Sequence, residues 1–112
     1  MTPQEKSLTW LGNSKDAYRQ FPQGAHKELG YQLQLLQWGL TPADFKPLKT
    51  VGSGAYELRY RDEQGAYRVV YVAKYTDTVY ILHAFRKTTQ KTAQKDIELA
   101  QQRYKTLGGD TP

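Results

Sequence analysis

GSGAYELRYRDEQGAYRVVYVAKYTDTVYILHAFRKTTQK, residues Gly52–Lys91, is the stretch on which the fold turns. It holds three runs dense in Tyr, Val, Ile and Phe. Ala55–Arg61 and Ala66–Lys74 are separated by Asp62-Glu63-Gln64-Gly65, and Val79–Phe85 follows the turn-like Thr76-Asp77. β-Favouring residues at that density, bounded by Gly and Asp, predict an antiparallel meander. Cations are spread along it: Arg59 and Arg61 in the first run, Arg68 in the second, and Arg86, Lys87 and Lys91 just past the third. Three neighbouring strands thus bring positive charge to one end or face of a small sheet, which predicts an anionic ligand there.

Side chains alternate along a strand, so Glu57, Arg59 and Arg61 share one face of the first run, and Tyr56, Leu58 and Tyr60 share the other. The second run is apolar on both faces, as suits a central strand, except for Arg68 on the face of Val70 and Val72. An arginine among valines, beside a Glu/Arg pair, is either a placed functional group or half of an ion pair, Glu57–Arg68 or Glu57–Arg59, that only decorates the sheet. The run Arg86-Lys87-Thr88-Thr89-Gln90-Lys91-Thr92 lies between a strand and a helix start, where orphan backbone N–H groups favour anions. Its plain alternative is a solvated loop.

Outward from this stretch the chain is helical on both sides. Ser7–Leu11 reads as a short first strand ended by Gly12-Asn13, and Ser14 as the N-cap of a helix over about 15–20. Pro22 suits the first position of a second helix that runs to Trp38, with Ala25, Leu29, Leu33, Leu36, Leu35 and Trp38 as its apolar stripe. Gly30 in mid-helix predicts close approach to helix one, and Gly39 a left-handed stop. Thr41-Pro42 reads as the start of one more turn through Phe45. After the meander, Thr92 is the N-cap expected for a last helix whose inward stripe is Ala93, Ile97, Ala100, Tyr104 and Leu107. The order β-α-α-β-β-β-α predicts one α+β domain over 1–112, helices on a small antiparallel sheet, with 1–6 and 108–112 loose.

Composition narrows the function classes. The 112-residue chain carries a net charge of +5 with nine tyrosines, a balance that favours a nucleic-acid partner. It has no cysteine, which removes disulfides, thiolate metal sites and cysteine nucleophiles together. No apolar run approaches the roughly 18–20 residues that span a bilayer, and the start lacks a signal-peptide core, so a cytoplasmic protein is expected. Gly52-Ser53-Gly54 lacks the Gly-Lys-Ser/Thr of a phosphate loop and precedes a strand, so it reads as a bend. His26 and His83 have no Cys or carboxylate at metal-ligand spacing, so no metal site is expected. Alternation puts His83 on the core side of its strand with Ile81 and Phe85.

YELRYRDEQGAYRVVY followed by YILHAFRKTTQKTAQKDIELAQQRY resembles the RelE/ParE toxin superfamily, most closely its phage-derived HigB-like branch, and TWLGNSKDAYRQFPQGAHKELGYQL resembles that branch's two-helix opening. The resemblance spans nearly the whole chain. It implies the toxin of a bacterial type II toxin–antitoxin pair, an endoribonuclease that cuts mRNA on the ribosome without metal or cofactor and is silenced by an antitoxin with a helix-turn-helix domain. By motif, Arg68 matches a phosphate-binding arginine and Arg59 a strand cation of the same site, while Lys87 falls where RelE has a catalytic arginine. Glu57 stands where RelE has a lysine, and Ala93 near its late tyrosine; Glu57 is then a candidate base, and Lys91 a candidate acid or phosphate contact. Arg61 and Arg86 are expected as further RNA contacts. The superfamily also holds ParE-like toxins that bind DNA gyrase without cutting RNA, and a degenerate domain that only binds an antitoxin is a third reading.

Overall fold

The computed structural model describes residues 5–87 and 92–108. In chain order it contains β1 (Ser7–Trp10), α1 (Ser14–Arg19), α2 (Gln23–Gln37), β2 (Phe45–Pro47), β3 (Ala55–Asp62), β4 (Gly65–Val72), β5 (Thr78–Lys87) and α3 (Gln94–Gly108). The strands form one sheet in the order β1-β5-β4-β3-β2. β3, β4 and β5 are the expected antiparallel meander. It gains one strand on each side: β2 antiparallel to β3, and β1 parallel to β5. The α+β class stands.

β2 replaces the helical turn expected after Thr41-Pro42. Phe45 pairs with Leu58 and Pro47 with Tyr56. Lys46 precedes Pro47, and a residue before proline is driven from helical to extended backbone. Proline has no N–H for a ladder, which an edge strand tolerates. The strand is only three residues long, so no alternation was there to read.

Period-two alternation divides the buried side chains between two layers. Leu58, Tyr67, Val69, Tyr71, Val79 and Ile81 pack under α1 and α2 with Ala25, Leu29, Leu33 and Leu36. Val70, Val72, Ala55, Leu82 and Phe85 pack under α3 with Ala100, Ile97 and Tyr104. β4 is buried on both faces, as a central strand must be. One irregularity breaks the alternation. Val70 pairs with His83 and Tyr71 with Ile81, so Leu82 is the extra residue of a β-bulge. Ile81 therefore lies in the α1/α2 layer, while His83 turns to the α3 side and stacks on Phe85 at 4.9 Å. The expectation that His83 shares a face with Ile81 fails for this reason.

Helix boundaries shift by a residue or two. Asn13 is the N-cap of α1 without a side-chain capping bond, its Oδ1 accepting from Arg103 Nη2 at 2.7 Å, and Ser14 is instead its buried first residue, donating to the Ile81 carbonyl at 3.2 Å. Pro22 is the N-cap of α2, and α3 starts at Gln94 with the Ala93 carbonyl accepting from Asp96 and Ile97. Ala93 is exposed and outside the stripe. Trp38 is 45 % exposed and hydrogen-bonded to Glu5, so it does not widen the buried face of α2. A Cβ on Gly30 would sit 3.3 Å from the Tyr18 hydroxyl, the predicted close approach to α1. Gly39 has φ +76°, the left-handed stop expected there. Among the described residues no helix is long and apolar enough to cross a membrane.

Candidate functional site

The α3 side of the sheet is only partly covered. Helix α3 packs over Val70, Val72, Leu82 and Ala55. Beyond it the same face continues towards the β3–β4 turn, and there it is charged. Register places the residues in rows: Lys46 opposite Glu57, Glu57 opposite Val70 and Val70 opposite His83; then Arg59–Arg68–Phe85; then Arg61–Ala66–Lys87. Directly opposed residues point to the same face with Cβ atoms about 4.5–5.5 Å apart. Glu57, Arg59, Arg61, Arg68 and Lys87 therefore converge from three strands, as expected. Lys46 joins them, missed because β2 was missed.

Arg68 and Glu57 form the buried centre, 4 % and 3 % exposed. Arg68 Nε stands 3.6 Å from Glu57 Oε1, and Arg68 Nη1 donates to the Tyr67 carbonyl at 3.1 Å. Arg68 Nε and Glu57 Oε2 are buried without a hydrogen bond among the described residues. Such groups are costly unless something meets them. Burial lowers the Arg68 pKa, Glu57 pulls it back, and Arg59 and Arg61 push it down again. Arg59 is more open and pairs with Asp44 at 4.0 Å. Asp44, Arg59, Tyr60, Arg61 and Arg68 line a cleft of about 190 Å³. Three guanidinium groups around so small a space suit a phosphate, since Arg matches its oxygens bidentately.

Lys87 ends β5, which runs two residues further than its sequence pattern suggested. Its pKa is lowered, first by burial and then by Arg68, with Arg59 and Lys46 adding repulsion and Glu57 opposing them. An ammonium held among cations gives up its proton more easily than one in water. Arg86, the next residue back, points to the opposite face. Its guanidinium lies 6.0 Å over the Tyr67 ring and donates to the Gln64 carbonyl. The structure does not bring Arg86 to the cluster, and Lys91 lies outside the described residues.

A pairing not foreseen links the sheet to α3. His83 Nε2 is 2.7 Å from Asp96 Oδ1, and His83 Nδ1 is buried without a hydrogen-bond partner among the described residues. The imidazole is 7 % exposed, and its pKa is lowered by burial, against the opposing pull of Asp96. Only folding brings residues 83 and 96 together, and the sequence carried no spacing signal for it. Among the described residues no group of three or more His, Cys, Asp and Glu could hold a metal ion.

The model of the family described as phage-derived protein Gp49-like (DUF891) matches residues 16–105, a span that holds every strand and helix except β1 in whole or in large part. No curated protein matches the chain. The family is phage-derived and toxin-like, one of the RelE-like families.

Proposed function

Since the chain belongs to the phage-derived Gp49-like family of RelE-like toxins, we propose that it is the toxin of a bacterial type II toxin–antitoxin pair, of the HigB-like kind, and that it cuts mRNA on the ribosome. Its partners are then mRNA, the ribosome and a cognate antitoxin with a helix-turn-helix domain, and its place is the cytoplasm. The observation that carries the reading is the convergence of Arg59, Arg68 and Lys87 with Glu57 on one face of the sheet, beyond the residues on which α3 packs.

RNA cleavage of this kind needs no cofactor. The ribose 2′-OH attacks the adjacent phosphorus, the bond to the 5′-oxygen breaks, and a cyclic phosphate and a 5′-hydroxyl result. Arg59, Arg61 and Arg68 around their cleft hold the phosphate and the charge that develops on it; one such contact is commonly worth about 2.7–4 kcal/mol at the transition state. The lowered pKa of Lys87 suits it to hand its proton to the departing 5′-oxygen. Glu57 orients Arg68 through Oε1, while its unbonded Oε2 is the candidate base for the 2′-OH.

The test is induction of the wild type, Lys87→Ala and Arg59→Ala in a bacterial host, with growth and mRNA 5′ ends followed together. Prompt loss of translation with new 5′ ends inside coding regions, abolished in both variants, is the expected result. DNA damage and filamentation with intact mRNA would replace this reading with gyrase poisoning.

A further inference from the structure

The phosphate cleft does not stop at Arg59. Asp44, Arg59, Tyr60 and Arg61 also line a second cleft of about 350 Å³, bounded on its far side by Glu28 and Gln32 of α2 and by Ala43. The two share one wall and run together around the outer edge of β3, past the point where β2 stops. Along this path the surplus of cations runs out. The first cleft sets three guanidiniums against the Asp44 carboxylate, whereas the second sets Glu28 and Asp44 against Arg59 and Arg61. A phosphate is favoured at the first end, and the second has no excess of positive charge for another. A volume of this order suits a small organic group.

Glu28 is also held in place. Gln32, 3 % exposed, donates from Nε2 to Glu28 Oε2 at 2.7 Å, and its Oε1 accepts from the Ala43 N–H at 2.6 Å. Both ends of the buried amide are thus fixed, and one of them sets the carboxylate. An ionised carboxylate only accepts hydrogen bonds, and with two lone pairs on each oxygen Glu28 can accept further ones.

We propose that this second cleft is a base-recognition subsite for the nucleotide next to the scissile phosphate, and that Glu28 makes it selective for guanine. The proposal rests on the RNA-cleaving reading above. Unpaired RNA bases are read on their Watson–Crick edges. Guanine presents two adjacent donors there, N1–H and N2–H₂, which a carboxylate accepts together. Adenine and cytosine set a ring acceptor beside their single amino group, and uracil offers one donor between two carbonyls. Each of those three leaves Glu28 facing at least one repelling lone pair.

Two measurements test it: 5′-end mapping of transcripts after induction, and calorimetric binding of GMP, AMP, CMP and UMP to the purified protein. For the wild type we expect guanine enriched at one fixed position beside the cuts, and GMP bound in preference to the other three. In Glu28→Gln one acceptor becomes a donor, and both preferences should fall roughly tenfold or more, the scale of one bidentate base contact. A melting curve for Glu28→Gln establishes that it is folded. Cuts without guanine enrichment, or an enrichment that survives in folded Glu28→Gln, would overturn the subsite. If the wild type cuts no RNA, the cleavage reading falls alone and the binding arm decides: a GMP preference lost in Glu28→Gln upholds the subsite, and equal binding of the four nucleotides removes it.

Discussion

Arg68 and Lys87 lie on one face and are expected to fail in different ways when cut back. Arg68 is buried against Glu57, and removing one partner strands the other charge in the interior, typically at a cost of about 3–5 kcal/mol. Arg68→Ala should therefore lower the melting temperature sharply as well as abolish toxicity. Lys87 is only half-buried at the end of its strand, so Lys87→Ala should melt near the wild type and still lose toxicity. Equal melting of the two variants would place Arg68 in solvent. His83 gives a prediction of the opposite kind. Burial lowers its pKa despite Asp96, and Arg103 adds to the lowering, so the folded protein prefers neutral imidazole. The unfolded chain titrates near the ordinary value of about 6.5. Stability should be unaffected by this group above that pH, fall as the pH drops through it, and reach its full loss below the folded pKa. Melting curves from pH 8 to 5 should show the decline in the wild type and a shallower one in His83→Gln. The charged strand residues were legible because alternation alone assigns them to a face. The His83–Asp96 bond was not, because it depends on a bulge and on the docking of a helix.

At the scale of elements, the first strand, the meander and the three helices were legible, while β2 was missed because it is short and the parallel partner of β1 because it is distant. β1 has four residues and gains its place from Thr78–Ile81, about seventy positions away, through a parallel ladder. Parallel pairing of segments so distant leaves no local turn signal. The Gly52–Gly54 bend was read correctly, but its reason lies in α3. A Cβ on Gly52 would come within 2.4 Å of the Tyr104 ring, whose hydroxyl donates to the Ser53 carbonyl at 2.7 Å. The ring thus lies close against the bend and ties α3 to the entry of β3. Gly52→Ala should cost about 1–3 kcal/mol by overpacking. The expected signature is a double-mutant cycle: in a Tyr104→Ala background the same Gly52→Ala change should cost much less. Equal costs in both backgrounds, measured by urea denaturation, would mean that the ring does not rest on Gly52.

The whole molecule adds to this cluster of cations a net charge of +5, which bears on where it acts. Arg59, Arg61 and Arg68 neutralise a phosphate and position a backbone, but phosphate contacts alone do not set a 2′-OH in line with its phosphorus. Glu57, the candidate base, is 3 % exposed and tied to Arg68, and His83 is committed to Asp96 with its other nitrogen buried. The cluster therefore offers strong charge stabilisation and little freedom to pull an attacking group into place. A ribosome that grips mRNA codon by codon supplies that missing orientation, and a basic surface suits docking against ribosomal RNA. The expected outcome is slow cleavage of naked RNA and rapid cleavage of the same transcript on programmed ribosomes. Because each neutralised phosphate releases counterions, binding should weaken steeply with salt, with a slope near 0.7–0.9 per contact on logarithmic axes. The one phosphate held in the cleft then predicts a slope of roughly 0.7–0.9 from the site itself, and a steeper one on the ribosome, where more phosphates are met. Primer extension across a salt series, with and without ribosomes, measures both. Rapid, salt-insensitive cutting of free RNA would mean that the chain itself sets the 2′-OH in line with its phosphorus, and the ribosome would no longer account for that orientation.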